Sequence, residues 1–486
     1  MGASIPDRIC AVKAIVYYAN PMRDETNISL PSNLDTAETA SPRVVFSILL
    51  KIALPMMLGS AIESLYNLTD AFFLGRLGLA EVGAPSIGFT IVFFLTVFGT
   101  GLAGAGTTLI AQSRGRRDTV KMNHYLNQMT SLLFAVSFVL AGFGVIVVGP
   151  ILRLLATPAA VYGFALSYMR IIFLGIPFTF VYFALQASFT AVGDSATPIR
   201  VHLVAVGLNV ALDPLLIFGL GPFPALGVPG AAIATIMSQG VGALLSLLVL
   251  MRGKEGMRLN RLAMRPDPKA WRLLASIGLP ASVGQGLSAF GFTVLQGVVN
   301  MFGLSAIAAF GVGNRLMNMF DIPIYGIAGG TTSLVGRAIG AKDERLADRV
   351  VHMALLMVVI FEVPLLALSM VYGGELVRLF VSDPEAVRLG DLMFKVVSPS
   401  LLMFGLYFPL NGAFQGAGDT KVIMVLSIFR LWIIRVPLAY ALAYLTSIGP
   451  LSIWIAMFAS NALTAAIGGI WFRMGHWRHA LDPDRI

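Results

Sequence analysis

The sequence predicts an all-α integral membrane protein: twelve transmembrane helices in two six-helix bundles related by an internal repeat of 225 residues. Three observations carry this. Of the 486 residues 57% are hydrophobic and 12% charged, with a mean hydropathy of +0.82, whereas a soluble domain carries about 25% charged residues. Apolar stretches long enough to cross roughly 30 Å of hydrocarbon as a helix recur along the chain; they are continuous rather than alternating, which excludes a β-barrel. Finally, matched residues recur at one fixed shift.

Taken in order, the apolar runs place helices near 45–75, 84–112, 125–152, 161–192, 198–219, 228–252, 272–300, 305–337, 350–373, 386–416, 422–444 and 451–474. Residues 1–44, with Arg8, Lys13, Arg23 and Arg43 around a short, interrupted apolar patch, read as a cytoplasmic tail. The predicted domains are this tail, an N-lobe over 45–252, a linker over 253–271, a C-lobe over 272–474 and a C-terminal tail over 475–486.

The net charge of +9 follows from topology. The tails and the loops after even-numbered helices hold 24 of the 34 Lys and Arg, and the other loops hold Arg76, Arg153, Arg378 and Arg388. By the positive-inside rule both termini are cytoplasmic, and a bacterial inner membrane is the expected location. With the charge so explained, no nucleic-acid partner is needed. The single cysteine, Cys10, excludes a disulfide framework, and five His without metalloprotease spacing give no zinc site. Nucleophile motifs are also missing, so an enzyme is not expected and no cofactor is predicted.

The repeat is read directly. Leu54 and Pro55 match Leu279 and Pro280, Gly104 matches Gly329, Thr107 matches Thr332, Gly115 matches Gly340, Asp118 matches Asp343, Arg153 matches Arg378, and Gly193 and Asp194 match Gly418 and Asp419. A shift by six crossings preserves direction, so the halves are parallel, as in transporters whose halves rock about a central cavity. Asp194 and Asp419 read as helix caps. Pro55 and Pro280 each remove a backbone hydrogen bond inside a helix and are candidate hinges.

An ionisable side chain at the bilayer centre costs at least about 2.5 kcal/mol, so each embedded one calls for a partner, water or a role. Glu63, Tyr66, Asn67 and Asp70 share one face of the first helix, and His202, Asn209 and Asp213 one face of the fifth. Tyr168 and Thr235 fall in the same outer layer. Adding 225 carries Asp70 to Leu295, Tyr168 to Met393, Asn209 to Ile434 and Asp213 to Leu438, all apolar. The fold therefore does not require these polar groups. A buried acid beside a second acid binds a proton near neutral pH, and its deprotonated form attracts a cation. Competition between proton and cation for one site is the minimum physics of antiport.

The run from Pro55 to Gly78 with its core from Tyr66 to Asp70, the segment Asn209 to Pro214, and the segment Gly227 to Thr235 resemble the multidrug and toxic compound extrusion (MATE) family over roughly residues 45–475. The resemblance implies a cation-coupled exporter with a V-shaped pair of lobes. In the branch similar to the DNA-damage-inducible type it implies that protonation of Asp70 bends the first helix at Pro55, that Tyr168, Asn209, Asp213 and Thr235 form a hydrogen-bonded relay, and that Glu63, Tyr66, Asn67 and Gln186 line the substrate cavity. The sodium-dependent branch carries acids on helices seven and ten. Here helix seven has Gln285 and no acid, which makes H⁺ the expected coupling ion, with Na⁺ at Asp70, Asp213 and Asn209 left open. Small cationic or amphiphilic organic substrates and a monomer in the bilayer are expected.

Two embedded arginines, Arg315 and Arg435, stand out in the second half. An arginine-lined cavity would suit export of an anionic, lipid-linked substrate, the alternative reading; the preferred expectation is that Arg435 pairs with Asp321 or Glu362.

Overall fold

A computed structural model of the chain describes residues 41–220 and 224–481, without the side chains of 64–72, 75, 79–80, 82, 84, 86–87 and 89–90. Nearly all of the predicted N-terminal tail and the last five residues lie outside the described residues. The helices are α1 (Pro42–Gly75), α2 (Leu79–Gly115), α3 (Thr119–Leu154), α4 (Ala159–Val192), α5 (Ala196–Phe218), α6 (Val228–Arg252), α7 (Pro268–Asn300), α8 (Leu304–Phe320), α9 (Ile322–Gly340), α10 (Glu344–Arg378), α11 (Pro384–Ala417), α12 (Thr420–Ile428), α13 (Val436–Leu445) and α14 (Leu451–Met474).

Eleven of the twelve crossings are long and apolar enough to span a bilayer unaided among the described residues. The eighth is not, because it is divided at Asp321 into α8 and α9. Pro323 in the first turn of α9 brings no N–H to the carbonyl of Met319, so the helix is weakest there. The eleventh crossing, expected as one regular helix, is also composite. Between α12 and α13 the chain widens into a π-helix over Phe429–Arg435, next to Pro437, which withholds its N–H from the turn before it. By contrast, α1 and α7 run on through Pro55 and Pro280.

The two halves repeat each other in detail. Asp118 caps α3 by accepting from the Lys121 N–H, and Asp343 caps α10 by accepting from the Leu346 N–H. The residues before them, Arg117 and Lys342, both adopt left-handed backbone, with φ of 59° and 60°. Ser195 donates to the Ile52 carbonyl and Thr420 to that of Ile277, each at 2.6 Å. Asp194 accepts from the Thr197 N–H and hydroxyl, and Asp419 stands at the matched position before α12.

The first half packs α4 against α2, α3 and α6, and α5 against α6; the second packs α11 against α8, α9, α10 and α14, and α7 against α12. Between them runs a seam in which α9 lies on α1 and α2, and α2 lies on α7. Lipid offers no hydrophobic gain for helix association, so close approach depends on small residues. A Cβ on Gly326 would stand 2.7 Å from the Ala53 carbonyl, and one on Gly101 2.7 Å from that of Gly278, the same contact formed twice. The seam extends from Phe94 and Gly286 at mid-helix to Gly115 and Gly340 at the ends beside the basic loops.

Arg337, near the end of α9, also belongs to this seam. It reaches from α9 to Gly193 of the first half, and its Nε and one terminal nitrogen are enclosed without a hydrogen-bond partner. The segment after α6 is strapped to the first half. Asn123, Asn127 and Gln128 of α3 bond the backbone from Gly256 to Asp267, and Lys254 reaches Asp194 at 2.7 Å.

Candidate functional site

The best described part of the predicted site lies between α5 and α6. Asp213 and Asn209, one turn apart, are 0% and 1% exposed, and the Asn209 amide points to the Asp213 carboxylate at 3.4 Å. Thr235 of α6, also buried, donates to the Ala231 carbonyl. Glycine explains how the two helices come so close. Gly227 takes a positive φ of 59° to start α6, and a Cβ on Gly230 would collide with the Leu216 carbonyl of α5. Asp213 precedes Pro214, whose missing N–H leaves a backbone carbonyl of α5 without its helical partner.

Tyr168 of α4 packs partly buried against the same core. Asp70, Tyr66 and Asn67 lie on α1, but their side chains are outside the described residues. Gln186 is half-buried on α4.

A second group stands two turns along α5, about 10 Å from Asn209 toward the basic loops. Glu63 of α1 meets His202 Nε2 at 3.0 Å, and the His202 ring stacks on Tyr182 of α4 with centroids 5.4 Å apart. Glu63 keeps 53% of its side chain exposed, so this carboxylate is accessible where Asp213 is not. Tyr182 was missed from the sequence, although it stands one turn before Gln186 on the same helix face.

The second half overturns one expectation and limits another. Arg435 pairs with neither Asp321 nor Glu362: its Nε donates to Ser460, its terminal nitrogen to Asn461, and its guanidinium lies over Phe292. The π-helix turns Arg435 inward to α14, where neutral acceptors serve it. Arg315 is exposed on α8. Nor are the buried acids confined to the first half, since Asp321 and Glu362 are 7% and 0% exposed. The sequence offers them only as partners for Arg435.

Two six-helix halves joined along a glycine seam, with embedded polar groups in each, define a membrane carrier with a central seam. The family described as MatE matches residues 55–215 and 280–441, two stretches that begin 225 residues apart. The chain belongs to the MatE family, and is an integral membrane transporter rather than an enzyme. It is 28% identical over 435 residues to "Probable multidrug resistance protein YoeA" of Bacillus subtilis (strain 168), covering 89% of this chain and 94% of that one. It is also 28% identical over 394 residues to "Multidrug export protein MepA" of Staphylococcus haemolyticus (strain JCSC1435), covering 79% and 84%. Its fold superimposes on "Crystal structure of MATE in the bent conformation" with a TM-score of 0.83 at 23% identity, covering 89% of this chain and 95% of that one.

Proposed function

We propose that this transporter is a secondary active multidrug exporter that exchanges protons for small cationic or amphiphilic organic substrates across a bacterial plasma membrane, with both termini cytoplasmic. The observation that carries the reading is the enclosure of Asp213 with Asn209 and Thr235 between α5 and α6. The matched positions Leu438 and Ile434 hold no ionisable group. In this reading Asp70, Asp213, Asn209, Tyr168 and Thr235 carry the proton, Glu63 with Tyr66, Asn67 and Gln186 receives the substrate, and Pro55 and Pro280 act as hinges. The names of the relatives support drug export. With the basic loops cytoplasmic, the seam closed at Gly115 and Gly340 lies at the cytoplasmic ends of α2 and α9.

Arg435, 1% exposed and bound to Ser460 and Asn461, lines no open cavity. This favours the antiporter over a flippase of anionic lipid-linked substrates. The test is ethidium transport in proteoliposomes driven by a pH gradient without Na⁺. The parent transports, while Asp70→Asn and Asp213→Asn lose dependence on the gradient; unchanged coupling in both, or transport driven by Na⁺ alone, defeats the reading.

A further inference from the structure

The second half contains a group of buried charges that the antiport scheme above leaves unused. Asp321 lies at the break between α8 and α9, Glu362 is in the middle of α10, and Arg430 is in the π-helix. Glu362 is fully buried beside Gly405 of α11, which Ile324 of α9 also faces, and neither carboxylate oxygen has a hydrogen-bond partner. One oxygen of Asp321 is also enclosed without a partner, as are Nε and one terminal nitrogen of Arg430.

The interactions within the group are unequal. Asp321 is attracted by Arg430 and repels Glu362. Arg430 also faces Tyr325 and Tyr407 and lies 4.7 Å above the Phe404 ring. Arg435, repelled by Arg430, is served by Ser460 and Asn461. Asp321 thus has a compensating cation, whereas among the described residues the one charged group acting on Glu362 is another carboxylate. An ionised carboxylate with neither donor nor cation is strongly disfavoured in such a place, whereas the neutral acid is accommodated.

The geometry points to a second proton-exchange site, in which Glu362 carries the proton and Asp321 with Arg430 sets its exchange. The site takes H⁺ rather than a metal cation, because the Arg430 guanidinium occupies the positive role beside Asp321. Tyr325, one turn beyond Asp321 and 47% exposed, marks where the group approaches the surface. Its position links it to the seam: Asp321 opens α9, and Gly326 and Gly330 of that helix rest on Ala53 and Leu49 of α1. Loading or unloading the proton on Glu362 changes the charge that α10 presents to Asp321, at the start of the helix on which the two halves meet.

This inference deepens the proton-coupled reading and rests on it, but its test needs no cargo. Infrared difference spectra are recorded on the full chain in lipid as pH is raised, for the parent, Glu362→Gln, Asp321→Asn and Asp213→Asn. The parent and Asp213→Asn should show a protonated-carboxyl band that Glu362→Gln lacks. Asp321→Asn, which removes the like charge, should move the midpoint of that band roughly one to three pH units lower. A band unchanged by both second-half substitutions overturns the site. If it is unchanged while ethidium export remains proton-driven, only this site falls; if it behaves as stated while export proves independent of protons, the site stands and the antiport reading falls.

Discussion

Gly115 and Gly340, 225 residues apart, close the seam reciprocally: Gly115 rests on the backbone carbonyl of Arg337, and Gly340 on that of Gln112. Each carbonyl belongs to the residue three positions before the opposite glycine. A Cβ at either site would overlap backbone, and backbone cannot yield as a flexible side chain can. Gly115→Ala and Gly340→Ala should each destabilise the seam-closed state by roughly 1–3 kcal/mol. Thermal unfolding in nanodiscs is the readout, and the double variant should lose less than the sum, because one helix displacement relieves both clashes.

The strap between Lys254 and Asp194 gives a pH-dependent expectation. Burial pushes the Asp194 carboxyl up, but hydrogen bonds from Lys254 and Thr197 outweigh it and hold the group below its ordinary value. A lowered acid contributes stability above its unfolded value, about pH 4, and loses it as pH falls through the folded value. Asp194→Asn should therefore cost about 1–3 kcal/mol at pH 7. The difference from the parent should shrink in melts recorded in acid, and a gap independent of pH would contradict this assignment.

Arg435 gives an ordering of variants. Removing one acceptor leaves a buried guanidinium underserved, whereas removing the guanidinium leaves two neutral groups. Asn461→Ala should cost about 2–3 kcal/mol, more than Arg435→Met, which replaces the charge with apolar volume. Melting temperatures in one lipid decide the order; the reverse order would mean that Arg435 has an anionic partner.

Glu63 is the exposed carboxylate among the described side chains of the predicted first-half site, so its charge should act on cargo. Glu63→Gln should raise the ethidium concentration for half-maximal transport roughly fivefold, the equivalent of about 1 kcal/mol for an exposed charge pair. A neutral substrate should be unaffected. Equal loss for both would indicate that the Glu63–His202 contact only holds α1 against α5.

Much of this architecture is legible in the sequence because membranes impose strong rules. Crossings follow from length and apolarity, and a fixed shift exposes the halves, so the span 451–474 coincides with α14 and 228–252 with α6. What was not legible depends on tertiary detail. The break at Asp321 and the π-helix at Phe429–Arg435 come from single prolines in runs that remain apolar. The partners of Arg435 lie on a helix 25 residues away, and no helical spacing links Glu63 to His202. Arg337 stands near a helix end, where a charge ordinarily meets water, and only the docking of the two halves encloses it.

The central claim is that cargo displaces a proton held by carboxylates of the first half. Its most direct test is proton release on adding ethidium to the purified chain in weakly buffered, Na⁺-free lipid nanodiscs. The account predicts release from the parent and its loss in Asp213→Asn. Undiminished release from Asp213→Asn, or none from a parent that binds ethidium, would contradict it.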